Sequence, residues 1–183
     1  FFMGTNERKY AWMDEGWAAF LPFEFSKKYF PDHPYAERSM RSFELINGTE
    51  REATLMTLSY SIGDYDSYRV HAYVRSAFAY FFLQDALGDE RFKSALQEYI
   101  RIWNGKHPLP YDFFNIFSNF TGLDLNWFYK PWFFEKAYAD LGIKKINNDN
   151  KIVIQNYGGL PLPIVILCEF ADGSSELIRK NTW

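Results

Sequence analysis

Aromatic side chains make up 21% of this 183-residue chain, and before about residue 140 they recur in steps of three and four rather than in the alternation of strands. Rings of that size on one helical face need other helices to cover them, so a helical lobe with an aromatic core is expected. From Tyr68 to Ala86 the residues Val74, Ala77, Phe78, Phe81 and Phe82 mark a long buried helix, with Gly88 placed to end it. Asp89 reads as the N-cap of a second helix carrying Phe92, Leu96, Tyr99, Ile100 and Trp103, stopped by Asn104-Gly105 and Pro108. Asp112 reads as the cap of a third over Phe113, Phe114, Phe117 and Phe120, ending at Gly122. Asp124 would cap a fourth with Trp127, Phe128, Trp132 and Phe133, which Pro131 would kink.

Near Gly142 the composition changes. Asn147-Asn148-Asp149-Asn150 is turn chemistry, Lys151–Gln155 and Ile164–Leu167 are β-branched runs, and Ala171-Asp172-Gly173-Ser174 is a hairpin candidate leading to Glu176-Leu177-Ile178. Three strands alone make a poor core. Residues 1–142 therefore read as helical, and 143–183 as the start of an incomplete β domain.

Twenty Lys and Arg against 23 Asp and Glu give a net charge of −3, without the basic excess that a nucleic-acid partner requires. Arg75, Gln84 and Asp85 interrupt the most apolar stretch, so no membrane span is expected. The lone Cys168 excludes an internal disulfide or a cysteine metal cluster. Of the three histidines, His33 and His107 read as loop residues and His71 as a packed ring or a group near a site; none forms an i, i+4 pair. Asp64, Tyr65, Asp66 and Tyr68 form a polar turn ahead of the long helix. The opening Phe1-Phe2-Met3-Gly4, with no basic segment or cleavage pattern, reads as the interior of a longer polypeptide. No Ser-His-Asp or Cys-His pattern, phosphate loop or zinc ribbon is visible.

The most specific segment is Trp12-Met13-Asp14-Glu15-Gly16-Trp17-Ala18, which sets two carboxylates among bulky apolar residues where a helix starts. One reading makes Asp14 a helix cap and Glu15 a dipole partner; the other makes Glu15 a metal ligand, since zinc accepts Glu oxygen. The segment resembles the Trp-Leu-Asn-Glu-Gly-Phe-Ala signature of the M1 family of zinc metallopeptidases, the gluzincin aminopeptidases. Trp12, Glu15, Gly16 and Ala18 stand as in that family, and Met13, Asp14 and Trp17 replace Leu, Asn and Phe. The resemblance implies that Glu15 is the third Zn²⁺ ligand. The HExxH helix that supplies two histidines and the general base would then lie before Phe1.

A second match, Tyr73-Val74-Arg75-Ser76 continuing to Ala86-Leu87-Gly88-Asp89-Glu90-Arg91-Phe92, resembles the family's Tyr-x-Lys-Gly helix and its Leu-Gly-Asp-Glu-x-Phe continuation. It implies that Tyr73 is the catalytic oxyanion donor, with Arg75 for Lys and Ser76 for Gly as departures. The stretch from His107-Pro108 to Trp132 resembles the helices before the family's β domain, with Ala137-Tyr138-Ala139-Asp140 replacing the usual Gly-x-Pro. The implied fold is mainly α, the helical lobe of a thermolysin-like catalytic domain followed by the first strands of a β-sandwich-like domain. The implied activity is zinc-dependent removal of N-terminal residues from peptides, the chain alone being inactive and holding zinc weakly. The other readings are a non-catalytic scaffold of the same fold, for which neither Glu15 nor Tyr73 has a chemical use, and an unrelated helical binding module. The Gly4–Tyr10 approach to the signature resembles exported bacterial relatives.

Overall fold

The computed structural model describes residues 3–147 and 151–181. The chain divides into two compact units, Phe1–Lys136 and Ala137–Trp183. In the first, α1 (Glu7–Tyr10), α2 (Trp12–Tyr29) and α3 (Tyr35–Ile46) lead through a 3-10 turn at Ser59–Ser61 to one unbroken helical run. That run comprises α4 (Tyr65–Arg69), a π-helical turn over Val70–Arg75, and α5 (Ser76–Leu87). After it come α6 (Asp89–Trp103), α7 (Pro110–Thr121) and α8 (Asn126–Tyr129), which widens into a second π turn over Lys130–Phe134.

The ends of these helices follow local chemistry. Asp64 caps α4 by accepting from the Ser67 N–H at 3.0 Å. Gly88, at φ 79°, both ends α5 and precedes α6, a conformation that any side chain would strain. The cap expected at Asp89 is therefore displaced. Asp89 is the first residue of α6, where its charge meets the helix dipole, and it accepts from Gln84 Nε2 at 3.0 Å. Asp112 is likewise not the cap of α7. That helix begins at Pro110, whose fixed φ suits a first helical position, and Asp112 Oδ2 reaches back to accept the Leu109 N–H at 2.7 Å. Asp124 stands just before the cap position, taken by Leu125, and accepts from the Asn126 N–H at 3.0 Å. Pro131 falls inside the second π turn. The five-residue hydrogen bond from Glu135 N–H to Lys130 C=O, 3.1 Å, shows the helix widening there rather than stopping.

The expected aromatic core forms. Trp12, Tyr80, Phe92, Tyr99, Phe113, Phe117, Phe128, Trp132 and Phe133 are all under 2% exposed, each contributing on the order of 1.5–3 kcal/mol by burial. Trp12 sits among Tyr80, Phe113, Phe114 and Phe133 with ring centroids 5.0–6.4 Å away. Trp17 stacks on Tyr80 at 3.7 Å and 9°. These contacts fix the first half of α2 against α5 and α7, so the position of Glu15 is set by rings packed around it.

In the second unit β1 (Leu141–Ile146) pairs antiparallel with β2 (Ile152–Asn156), and β3 (Ile164–Glu169) with β4 (Ser175–Lys180), as two separate sheets. The expected hairpin joins β3 to β4. Gly173 takes φ 84° and Asp172 Oδ1 accepts from the Ser174 N–H at 2.9 Å. Of the turn expected at Asn147–Asn150, residues 148–150 lie outside the described residues. The mainly α expectation with trailing short strands is borne out, and β1 is a strand that sequence reading did not find.

Candidate active site

The two acid-bearing and tyrosine-bearing segments meet inside the first unit. Ala11 is the residue before α2, and its N–H donates to Ser59 Oγ at 2.9 Å, which places Asp14 and Glu15 in the first turn. Asp14 is thus a helical residue rather than the cap. The Tyr73 hydroxyl, from the π turn, donates to Glu15 Oε1 at 2.5 Å. A π turn displaces side chains from the ordinary helical stagger and is frequent at functional positions.

Gly16 makes this approach possible. A Cβ there would lie 2.8 Å from both Cβ and Oγ of Ser76 and 2.9 Å from Cε2 of Tyr80, and both neighbours are fully buried. Ser76 is itself tied down by donating to the Ala72 carbonyl at 2.6 Å, and the Tyr80 hydroxyl donates to the Trp12 carbonyl at 3.2 Å. Gly16→Ala is expected to lower unfolding stability by about 1–2 kcal/mol, overpacking outweighing the helical preference of Ala over Gly. Urea unfolding midpoints check this, and an unchanged or raised midpoint would contradict the close contact.

Electrostatics distinguish the two groups. The hydrogen bond to Glu15, then burial, then the Glu15 charge hold the Tyr73 hydroxyl well above the ordinary tyrosine value, so it stays protonated and able to donate. Tyr68 is raised by burial and by the charges of Glu15 and Glu7. Glu7 is raised by its hydrogen-bonding interaction with Asp14, then by burial and the charges of Asp14 and Glu15. Three carboxylates therefore share the junction of α1 with α2, a local field that favours a cation.

Glu15 suits one ligand position for Zn²⁺: its Oε2 accepts no hydrogen bond among the described residues, while Oε1 is oriented by Tyr73. The histidines do not join it. His71 is 1% exposed; burial, then the neighbouring Arg75, lowers its pKa to about 4. Its ring approaches the backbone of Ala53 and Thr54 without a hydrogen bond of ordinary geometry. His107 donates from Nδ1 to the Gly4 carbonyl at 2.7 Å, and His33 is exposed in the turn before α3. Among the described residues no three His, Cys, Asp or Glu side chains gather to hold a metal ion.

Two features escaped sequence reading. Arg75, where the resemblance has Lys, is 1% exposed and donates from Nη1 to Glu52 Oε1 at 2.6 Å. It also donates to the carbonyls of Trp132, Pro131 and Glu135, each at 3.1 Å. Nothing in the loop around Glu52 signals a buried partner. The other is a groove of about 560 Å³ bordered by Tyr73, with Arg38 and Arg69 in its wall. The i, i+4 spacing of Tyr65, Arg69 and Tyr73 was its available signal.

Compared with known proteins, residues 5–132 match the model of the peptidase family M1 domain, 128 of the 183 residues. No curated protein matches the chain.

Proposed function

Because the chain belongs to peptidase family M1, we propose that it is part of a zinc-dependent aminopeptidase, with Glu15 as the third zinc ligand and Tyr73 as the donor to the oxyanion. The hydrogen bond from Tyr73 to Glu15 carries this reading. A scaffold has no need to hold a protonated tyrosine against a carboxylate in the first turn of a helix, whereas peptide hydrolysis needs both groups at one carbonyl. The two histidines and the general base would come from polypeptide outside these 183 residues, which contain no HExxH sequence.

Zn²⁺, when bound, supplies Lewis-acid polarisation of the scissile carbonyl and lowers the pKa of water. The work of this chain is positional. Glu15 presents one carboxylate oxygen from a helix locked by Trp12 and Gly16. The Tyr73 hydroxyl, kept neutral, directs its proton into the same space, where it meets negative charge that develops on the carbonyl oxygen only in the transition state. Peptide is the proposed substrate and the aromatic lobe one wall of its cleft. The approach to the signature supports an exported protein.

The test is to assay the polypeptide encoded by the complete reading frame on an aminoacyl amide, with and without a zinc chelator, beside the 183-residue chain. Chelator-sensitive release of the N-terminal residue by the former and none by the latter is expected, since one carboxylate cannot hold zinc tightly. Chelator-indifferent turnover, or turnover by the 183 residues alone, defeats the proposal. No turnover by either leaves the scaffold.

A further inference from the structure

The groove beside Tyr73 carries a charge opposite to that of the protein as a whole. The chain has a net charge of −3, yet the wall holds Arg38, Arg69 and His33 with Tyr35, Tyr65 and Tyr73, and not one carboxylate. Its volume of about 560 Å³ falls within the range of small-ligand clefts, about 300–1,000 Å³. Arg69 lies four residues before Tyr73, and both line the groove, while the charge that acts directly on the Tyr73 hydroxyl is that of Glu15.

Neither arginine has an acidic partner among the described residues. Among the described residues Arg69 Nη2 donates only to Ser42 Oγ, at 2.7 Å, which orients the guanidinium without neutralising it. Asp64 and Asp66 flank the start of the same helix, but they are engaged by Arg51 at 2.6 and 3.7 Å. Arg38, on α3, forms no ion pair among the described residues. Two guanidiniums in the wall of one groove, each with planar N–H donors that no acidic group occupies among the described residues, match the chemistry that recognises a carboxylate.

Resting on the peptidase reading, we propose that this groove selects peptides that present a carboxylate next to the scissile bond, either an acidic side chain or the C-terminus of a short peptide. The groove belongs entirely to this chain, so its selectivity is measurable without zinc or turnover. The 183-residue chain is titrated by calorimetry with tetra-alanine as free acid, tetra-alanine amide, and Ala-Glu-Ala-Ala amide. Binding of one or both carboxylate peptides about tenfold tighter than the neutral amide is expected, a preference that weakens with added salt. The free acid alone being favoured assigns the terminal carboxylate, and the Glu peptide alone the side chain.

Arg69→Gln and Arg38→Gln should each reduce the preference and together abolish it, while Arg69→Lys, which keeps the charge but not the planar fork, retains only part of it and all variants keep the wild-type circular dichroism. Equal affinity for all three peptides, or a preference that survives the double replacement, overturns the proposal. Failure of the chelator assay with a retained carboxylate preference would remove the peptidase and leave the groove as an anion-recognition site. The reverse pair of outcomes would leave the peptidase and remove the groove's role.

Discussion

Tyr73→Phe in the complete enzyme is expected to lower kcat about 10²–10³-fold with KM nearly unchanged, the loss associated with removing one oxyanion donor, about 2.7–4 kcal/mol. The hydroxyl is engaged before any substrate arrives. It donates to Glu15 Oε1, so in the free protein its proton is already committed, and it can serve the reacting oxygen only by turning away from the carboxylate. An interaction exchanged for another during the reaction contributes to the transition state more than to substrate binding, which is why kcat and not KM should move. Phe keeps the ring and its packing. The substitution leaves one oxygen of the half-buried Glu15 without its donor, a loss that water can repair, and unfolding stability should change by less than about 1 kcal/mol. Steady-state kinetics with matched unfolding curves check both halves. A variant with wild-type kcat, or one whose loss lies wholly in KM, would remove Tyr73 from the chemistry.

How far the site could be read from sequence depends on how local its signals are. Trp12, Glu15, Gly16 and Tyr73 stand in short segments whose residue types carry their own chemistry, and the aromatic periodicity located α5, α6 and α7. The misplaced caps at Asp89 and Asp112 share a cause: an acidic residue near a helix start can act from inside the first turn as well as from the cap position, and Gly88 and Pro110 decided between the two. The β1 strand, Leu-Gly-Ile-Lys-Lys-Ile, was hidden because a glycine and two lysines dilute the β-branched signal, and its place is fixed by pairing with β2. The π turn at Val70–Arg75 has no periodicity of its own. It ends at Arg75, whose side chain is anchored elsewhere in the first unit, and no reading of single segments could pair that residue with Glu52 or with the carbonyls of residues 131, 132 and 135.

That anchor supports the second large effect: Arg75→Met or Glu52→Gln should each destabilise the first unit by about 3–5 kcal/mol. Arg75 and Glu52 have side chains 1% and 2% exposed. Burial lowers the Arg75 pKa, and the Glu52 charge and hydrogen bond oppose that shift. Removing Glu52's charge withdraws the carboxylate that balances this guanidinium in a site closed to water. Removing Arg75 strands a buried carboxylate, whose Oε2 still accepts from the Gly48 N–H at 2.8 Å, and frees three carbonyls around the second π turn. Arg75→Lys should fare little better, because one ammonium cannot span acceptors arranged about a planar fork. The double variant Arg75→Met with Glu52→Leu should recover much of either single loss, since buried ion pairs are commonly replaceable by apolar groups when both partners go together. Urea unfolding of the wild type, Arg75→Met, Glu52→Leu and their double variant gives the coupling directly; single losses under about 1 kcal/mol, or simple additivity in the double, would show that the pair does not fasten the π turn. Where it does, the single variants should also broaden the kinetics at Tyr73, because the hydroxyl that faces Glu15 is held two residues from the same guanidinium.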